Sequence, residues 1–294
     1  MKKNALVTVG IPTYNRATGL ERTLQSIKSQ TYSNLEIVIS NNASPDKRVR
    51  KVIEQAASMD ARIRHFTQKE NIGAADNFLF VLRQAKGRFF MWAADDDEWH
   101  PSFIEELLDP LLSRPSFGLS FCDFHVRFSD GSPCKDYGSF IDAFDEFTDE
   151  KATERVSRYA LQAPERGKAN IIYSLYKMEA LDYTHAERYF HSKAWGADML
   201  FVCDILSRWD FHIINKKLYS VSLLAPQAGP ELAEPAYTSQ HSRRAAKRKL
   251  AAGYLHHGLA YIVILAQTNG SNPLLMLKFA SKLIPRIWTL VKTI

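Results

Sequence analysis

The strongest constraint in this 294-residue chain is a rhythm in its first 115 residues, where short apolar runs ending in polar turns alternate with amphipathic stretches. Residues 6–11 (LVTVGI) form a β-rich run that closes on Pro12, and Leu20, Leu24 and Ile27 then fall at i, i+4 and i+7, one face of a helix. Residues 35–39 read as a second strand, ended by Asn41-Asn42-Ala43-Ser44-Pro45-Asp46, a run of turn formers. Val49, Val52, Ile53 and Ala56 mark a second helix and residues 63–66 a third strand. A helix over 74–85, closed by Gly87 as a C-cap, leads to a fourth strand at 89–92 and to Asp95-Asp96-Asp97. Pro101 opens a further helix carrying Phe103, Ile104, Leu107, Leu108 and Leu111. This alternation predicts an α/β fold with a mostly parallel sheet and flanking helices. Ligands of such sheets bind at the carboxyl ends of the strands, where both polar turns fall.

Composition excludes several classes. With 46% hydrophobic and 24% charged residues the chain is an ordinary globular one, neither disordered nor fibrous. Cys122, Cys134 and Cys203 are three in number and form no CxxC pair, which excludes a disulfide framework and fits a reducing cytosol. No GxGxxG follows the first strand, and P-loop and GxSxG patterns are absent. The N-terminus lacks the apolar core of a signal peptide. The longest apolar run, residues 259–266, falls short of a membrane span of ~20 residues. Residues 131–168 show no clear period and read as a long loop or a small subdomain.

Three consecutive carboxylates after an apolar strand repel one another and are costly to hold together without a cation. Hard oxygen ligands of this kind suit Mg²⁺ or Mn²⁺, which takes one or two carboxylates and shares its other positions with phosphate oxygens. The competing reading is a solvated acidic loop.

Five motifs occur in order: Ile11-Pro12-Thr13-Tyr14-Asn15-Arg16, Ser40 to Asp46, Glu70-Asn71-Ile72-Gly73, Asn77-Phe78, and Asp95-Asp96-Asp97. Their order and spacing resemble family 2 glycosyltransferases with the GT-A fold, closely over about the first 115 residues and again at Gly196-Ala197-Asp198. The resemblance implies a nucleotide-sugar site built from Pro12, Thr13, Tyr14, Asn41, Asn71, Gly73 and Asp95. It implies a metal held by Asp96, with Asp97 in support, and Asp198 as the base that takes the acceptor's proton. His241 or Arg243 would contact the diphosphate from a closing loop. Asp198 has a second reading as the N-cap of the helix that follows. Asn41, Ala94 and Ala197 depart from the family's usual residues and leave open a second function, a nucleotide-sugar-binding scaffold without catalysis.

The tail differs in kind. Residues 235–294 hold nine Lys or Arg and no Asp or Glu, so they carry more than the whole net charge of +6. Lys278, Lys282, Arg286 and Lys292 form a basic stripe against an apolar face with Phe279 and Trp288, which predicts an interfacial helix on an anionic membrane, kinked or broken at Pro285. The rival is a helix packed on the domain. Nucleic acid is not expected as partner, because no nucleic-acid-binding fold is evident. These readings divide the chain into 1–120 (donor half), 121–230 (acceptor half) and 231–294 (basic helices). By resemblance, the chain is expected to be a metal-dependent, inverting enzyme of bacterial surface-polysaccharide synthesis. It would act on a glycan or lipid-linked glycan acceptor, in the cytoplasm, peripherally on the cytosolic face of the membrane.

Overall fold

The computed structural model describes residues 4–128, 140–144, 151–163, 166–192, 194–223, 240–268 and 272–292. Cys134 lies outside them. The elements run β1 (Val7–Thr13), α1 (Ala17–Lys28), β2 (Leu35–Asn41), α2 (Lys47–Met59), β3 (Ile63–Thr67), α3 (Ala74–Arg83), β4 (Phe89–Trp92), β5 (Glu98–Trp99) and α4 (Phe103–Ser113). They continue with β6 (Phe117–Phe128), α5 (Ile141–Phe144), α6 (Ala152–Leu161), a 3₁₀ segment (Lys168–Tyr173), β7 (Leu175–Lys177) and a short 3₁₀ turn (Met178–Ala180). The last elements are α7 (Tyr183–Phe190), α8 (Ala197–Leu206), β8 (Asp210–Leu223), α9 (Gln240–Gln267) and α10 (Pro273–Lys292).

All eight strands join one sheet in the order β3-β2-β1-β4-β7-β6-β8-β5. The first four are parallel. Antiparallel pairing enters where β7 joins β4 and β6, and again where β5 joins β8. β1 and β2 are buried along their whole length, as expected of parallel strands covered by helices on both faces. The chain leaves β1 toward β2 and β3 on one side and returns on its other side as β4. The crevice beyond the ends of β1 and β4 is therefore a topological switch point.

Trp92, fully buried at the end of β4, gathers a cluster of aromatic rings in the core. Its ring lies 4.8 Å from Phe90, 5.9 Å from Tyr176, 6.0 Å from Phe190, 6.1 Å from Phe201 and 6.2 Å from Phe78. Its Nε1 donates to the Phe78 carbonyl at 3.1 Å. One side chain thus fastens β4 to α3, β7, α7 and α8.

Four sequence expectations change. α3 ends at Arg83 with Gln84 as its C-cap, and Gly87 instead enters β4, its N–H donating to Thr8 Oγ1 at 2.9 Å. The aperiodic middle contains α6, on which Ala152, Val156, Tyr159 and Ala160 fall at i, i+4, i+7 and i+8, a short helical period set between stretches that have none. Of the two expectations at Pro285, a kink or a break, the break does not occur: α10 runs through it as one helix. Residues 250–267 of α9 are long and apolar enough, by length and composition, to cross a membrane, although their longest unbroken apolar run is short. In this fold Tyr261, Ile264 and Leu265 of that window are buried against the domain.

Trp92→Ala is expected to destabilise the fold by about 3–5 kcal/mol, the usual cost of an emptied aromatic site. Equilibrium urea unfolding measures it; a loss below about 1 kcal/mol would show that the cluster closes over the void.

Candidate active site

A cavity of about 500 Å³ opens at the switch point. The end of β1 supplies Pro12, Thr13, Tyr14 and Arg16; the loop after β2 supplies Asn42; and the loop after β4 supplies Ala94, Asp95 and Asp96. Asn71, Gly73, Ala74, Asn77 and Phe78 come from the start of α3, and Tyr173 closes the far wall.

The three aspartates have three environments. Asp95 accepts from Thr13 Oγ1 at 2.7 Å and from the Tyr14 N–H at 3.2 Å. Burial outweighs these bonds and the nearby Arg16, and pushes its carboxyl up to about 6. Asp96 is the most open of the three and pairs with Arg16. Burial raises its pKa too, against the pull of Arg16 and Arg22. Asp97 is turned away: its oxygens accept from the Tyr219 hydroxyl and from the Ser222 N–H, the latter at 2.7 Å. Burial, then the neighbouring Asp96 charge, brings its carboxyl up to about 7. Asp97, expected to support a metal, has both its oxygens engaged with β8 and does not line the cavity.

The loop bearing these residues is pressed against α1. A Cβ on Gly19 would stand 2.5 Å from the Asp95 carbonyl oxygen, so only glycine permits this approach. Thr23 Oγ1 lies within hydrogen-bond distance of the carbonyls of Ala94 and Asp97, at 3.1 and 2.8 Å.

Asn41, expected at the nucleotide, is likewise not among the residues that line the cavity. Its side chain is buried and accepts from the Ser44 N–H at 3.0 Å, which shapes the turn after β2. Asn42 is the residue that reaches the cavity. Its Nδ2 donates to Asn71 Oδ1 at 2.9 Å and to the Gly73 carbonyl at 3.1 Å, and its Oδ1 accepts from the Ile72 N–H at 2.9 Å. Gly73 has φ +86°, open to glycine without strain, and caps α3 so that the helix N-terminus borders the cavity. An N-terminus carries partial positive charge and free N–H groups, which favour an anionic group. Asn77 is locked to Ser40 by two hydrogen bonds, of 2.6 and 3.1 Å.

Asp198 does not line this cavity. It stands in the first turn of α8, with Gly196 as N-cap, so the N-cap reading does not hold. Burial raises its pKa, while the N–H groups of Met199 and Asp198 and the charge of Lys168 lower it. The ring of Trp195, the preceding aromatic, packs on Tyr254 and His257 of α9. Tyr173 links the two places: burial and the charges of Asp97, Asp96, Asp198 and Asp95 together hold its hydroxyl well above its ordinary pKa. His241 and Arg243 fall in the first turns of α9, on a helix instead of the expected loop, and their side chains lie outside the described structure.

Sequence reasoning missed Arg16, Asn42 and Tyr173 as parts of this site. Arg16 and Asn42 stood inside quoted motifs. Tyr173 stands 78 positions after Asp95 and had no local signal.

Among the described residues, no three His, Cys, Asp or Glu side chains converge as a ready-made metal cage. The donor set nevertheless fits Mg²⁺ or Mn²⁺: Asp95 and Asp96 present carboxylate oxygens to a cavity with room for phosphate ligands, and Arg16 is a half-exposed, movable partner.

Gly19→Ala is expected to destabilise the fold by about 1–3 kcal/mol, an overpacking cost. An unchanged urea midpoint would mean that α1 can move away from the aspartate loop freely.

The family model described as Glycosyl transferase family 2 matches residues 8–163, just over half the chain. The putative teichuronic acid biosynthesis glycosyltransferase TuaG of Bacillus subtilis (strain 168) is 31% identical over 128 residues, 44% of this chain and 50% of that protein. An uncharacterized glycosyltransferase of Rickettsia typhi is 35% identical over 114 residues, 38% of this chain and 34% of the relative. The matches thus span half or less of these curated relatives. In fold, S. aureus TarS 1–349 in complex with UDP-GlcNAc superimposes with a TM-score of 0.56 at 15% identity, covering 98% of this chain and 83% of that one. The mannosyltransferase PcManGT of Pyrobaculum calidifontis, in complex with GDP-Man and Mn²⁺, gives 0.54 at 17% identity, covering 98% and 78%. With the parallel sheet, the switch-point cavity and the family match in agreement, this chain belongs to glycosyl transferase family 2 and has the GT-A fold.

Proposed function

We propose that the chain transfers a sugar from a nucleotide diphosphate donor to a hydroxyl of a glycan, with inversion, in the synthesis of a bacterial surface polysaccharide. The observation that carries this reading is the switch-point cavity, which joins the N-terminus of α3 to the carboxylates Asp95 and Asp96. The donor's diphosphate lies toward α3, where N–H groups and the helix dipole meet its charge. Tyr14 and Pro12 give the nucleoside a partly apolar wall. A Mg²⁺ or Mn²⁺ ion held by Asp96 and Asp95 would supply charge stabilisation for the departing diphosphate; the Mn²⁺ in PcManGT supports this choice. Asp198 accepts the proton of the acceptor hydroxyl as its oxygen bonds to the anomeric carbon. The bond from that carbon to the diphosphate breaks with its electron pair going to the diphosphate. Burial that raises the basicity of Asp198 suits this role. The teichuronic acid assignment of the similar TuaG supports a cell-wall polymer as product.

Two variants separate the roles. Asp96→Asn is expected to weaken nucleoside diphosphate binding and abolish its dependence on divalent ions in calorimetry. Asp198→Asn is expected to keep that binding and lower transfer by about 100- to 10,000-fold, the usual share of a general base. Wild-type affinity that is indifferent to a chelator would remove the metal, and normal turnover by Asp198→Asn would remove the base.

The same proposal includes docking on an anionic membrane, with one revision. Phe279, Leu283 and Ile287 of α10 are buried against the protein and cannot enter a bilayer. Leu277 and Trp288 are 69% and 56% exposed, and Ile284 lies between them. On α9, Leu255, Leu259 and Val263 are exposed as well. The two helices form a hairpin in which Gly258 faces Ile287. At about 100° per residue, Leu255 and Leu259 are offset from Gly258 in the same sense as Ile284 and Trp288 from Ile287. In antiparallel helices equal offsets fall on the same side, so the exposed residues make one apolar face. Lys278 borders it, in a tail free of acids.

Liposome co-sedimentation tests the docking. Trp288→Ala is expected to weaken binding to neutral and anionic vesicles alike. Lys278→Glu with Lys282→Glu is expected to abolish only the preference for anionic lipid, about 1 kcal/mol per basic residue. No binding at low salt would reject membrane docking.

A further inference from the structure

A second cavity, of about 700 Å³, lies between α6, the 3₁₀ segment Lys168–Tyr173 and the C-terminal helices α9 and α10. Its chemistry is unusual. Lys168 is 1% exposed, yet among the described residues it forms no salt bridge, and its recorded hydrogen bond, to the Ala160 carbonyl, is long at 3.4 Å. Its ammonium rests between the rings of Tyr159 and Tyr261, 4.6 and 4.5 Å from their centroids. Both of those tyrosine hydroxyls are buried without a hydrogen-bond partner. Arg166 and Arg286 line the same space, and among the described lining residues there is no Asp or Glu.

An unmatched ammonium and two unmatched hydroxyls are costly to bury, and native folds rarely leave them so. Burial pulls the Lys168 pKa down to about 7, with Asp198 and Cys203 opposing and Arg286 assisting. An apolar side chain of similar size at this position carries no such desolvation cost. What these groups lack is a compact anion with several acceptor oxygens. The rest of the wall, including Leu161, Leu283 and Ile287, is apolar.

We propose that this cavity binds a phosphate ester, its phosphate on Lys168 and Arg286 and its apolar portion against Leu161, Leu283 and Ile287. Tyr261, which lines the cavity, adds a hydrogen bond to the phosphate, and Tyr159 supports Lys168 from behind. Trp195, which lines the cavity, is three residues before Asp198. On the transfer reading, on which this last step rests, the ester is the phosphate-bearing end of the acceptor, seated behind the base.

Calorimetry with octyl phosphate, octanol and inorganic phosphate, in the absence of any donor, tests the site. Octyl phosphate is expected to bind at least about tenfold more tightly than either comparator, the worth of one charge-assisted contact or more. Lys168→Met is expected to abolish that preference while raising the thermal midpoint of the unliganded protein. Arg286→Gln, on an exposed part of α10, is expected to weaken octyl phosphate about tenfold with the midpoint unchanged. Lys278→Glu with Lys282→Glu is expected to leave octyl phosphate binding intact, which separates the cavity from the membrane face. Octyl phosphate that binds no better than octanol, or that binds Arg286→Gln as tightly as wild type, overturns the proposal, whether or not Lys168→Met folds. Inorganic phosphate that binds as tightly as octyl phosphate overturns the apolar half. Intact octyl phosphate binding in a protein that transfers no sugar would overturn the transfer reading and leave the site standing.

Discussion

Three carboxylates leave the end of one strand in succession, and the site depends on each being met by a different partner. Asp95 is held by Thr13 and Tyr14 at the end of β1, Asp96 by Arg16 ahead of α1, and Asp97 by Tyr219 and Ser222 of β8. Repulsion among three such charges is thereby converted into three separate tethers. The tethers reach both halves of the sheet, since β1 belongs to the parallel half and β8 to the half that carries β5 and β6. Charge placement and strand placement are therefore one problem in this fold. The loop can stand where it does only because β8 returns beside β5, and β5 pairs with β8 directly after the third aspartate.

The parallel half was legible in the sequence because its strands are continuous apolar runs and its turns are dense in Asn, Asp, Gly and Pro. The five motifs fall within it, at or beside the ends of strands. What was not legible is which member of a motif faces the cavity. Asn41 and Asn42 are chemically identical, and only the hydrogen bond from Ser44 to Asn41 and the reach of Asn42 to Asn71 tell them apart. The partners of Asp97 were hidden for the same reason: they lie more than 120 residues away in β8. Tyr173 belongs to no local pattern, and the burial of Arg155 in α6 rests on distant partners, the Leu206 carbonyl and Asp210.

The C-terminal helices show why a choice between packed and interfacial was too coarse. A helix with a broad apolar surface can divide it. One strip of α10 seals the domain and encloses the cavity beside Lys168, and a neighbouring strip remains in water. Hydrophobic periodicity measures the sum of the two strips and cannot apportion them.

The strand order has a consequence for self-association. The edges of the sheet are β3 and β5, the former five residues long with Arg64 and His65 in its middle, the latter only two residues. Short or charged edges are poor templates for adding a further strand, which suppresses polymerisation through backbone pairing. If the helical hairpin docks on a membrane as proposed, chains crowded there would meet their neighbours through side chains, and could be concentrated without their sheets joining end to end.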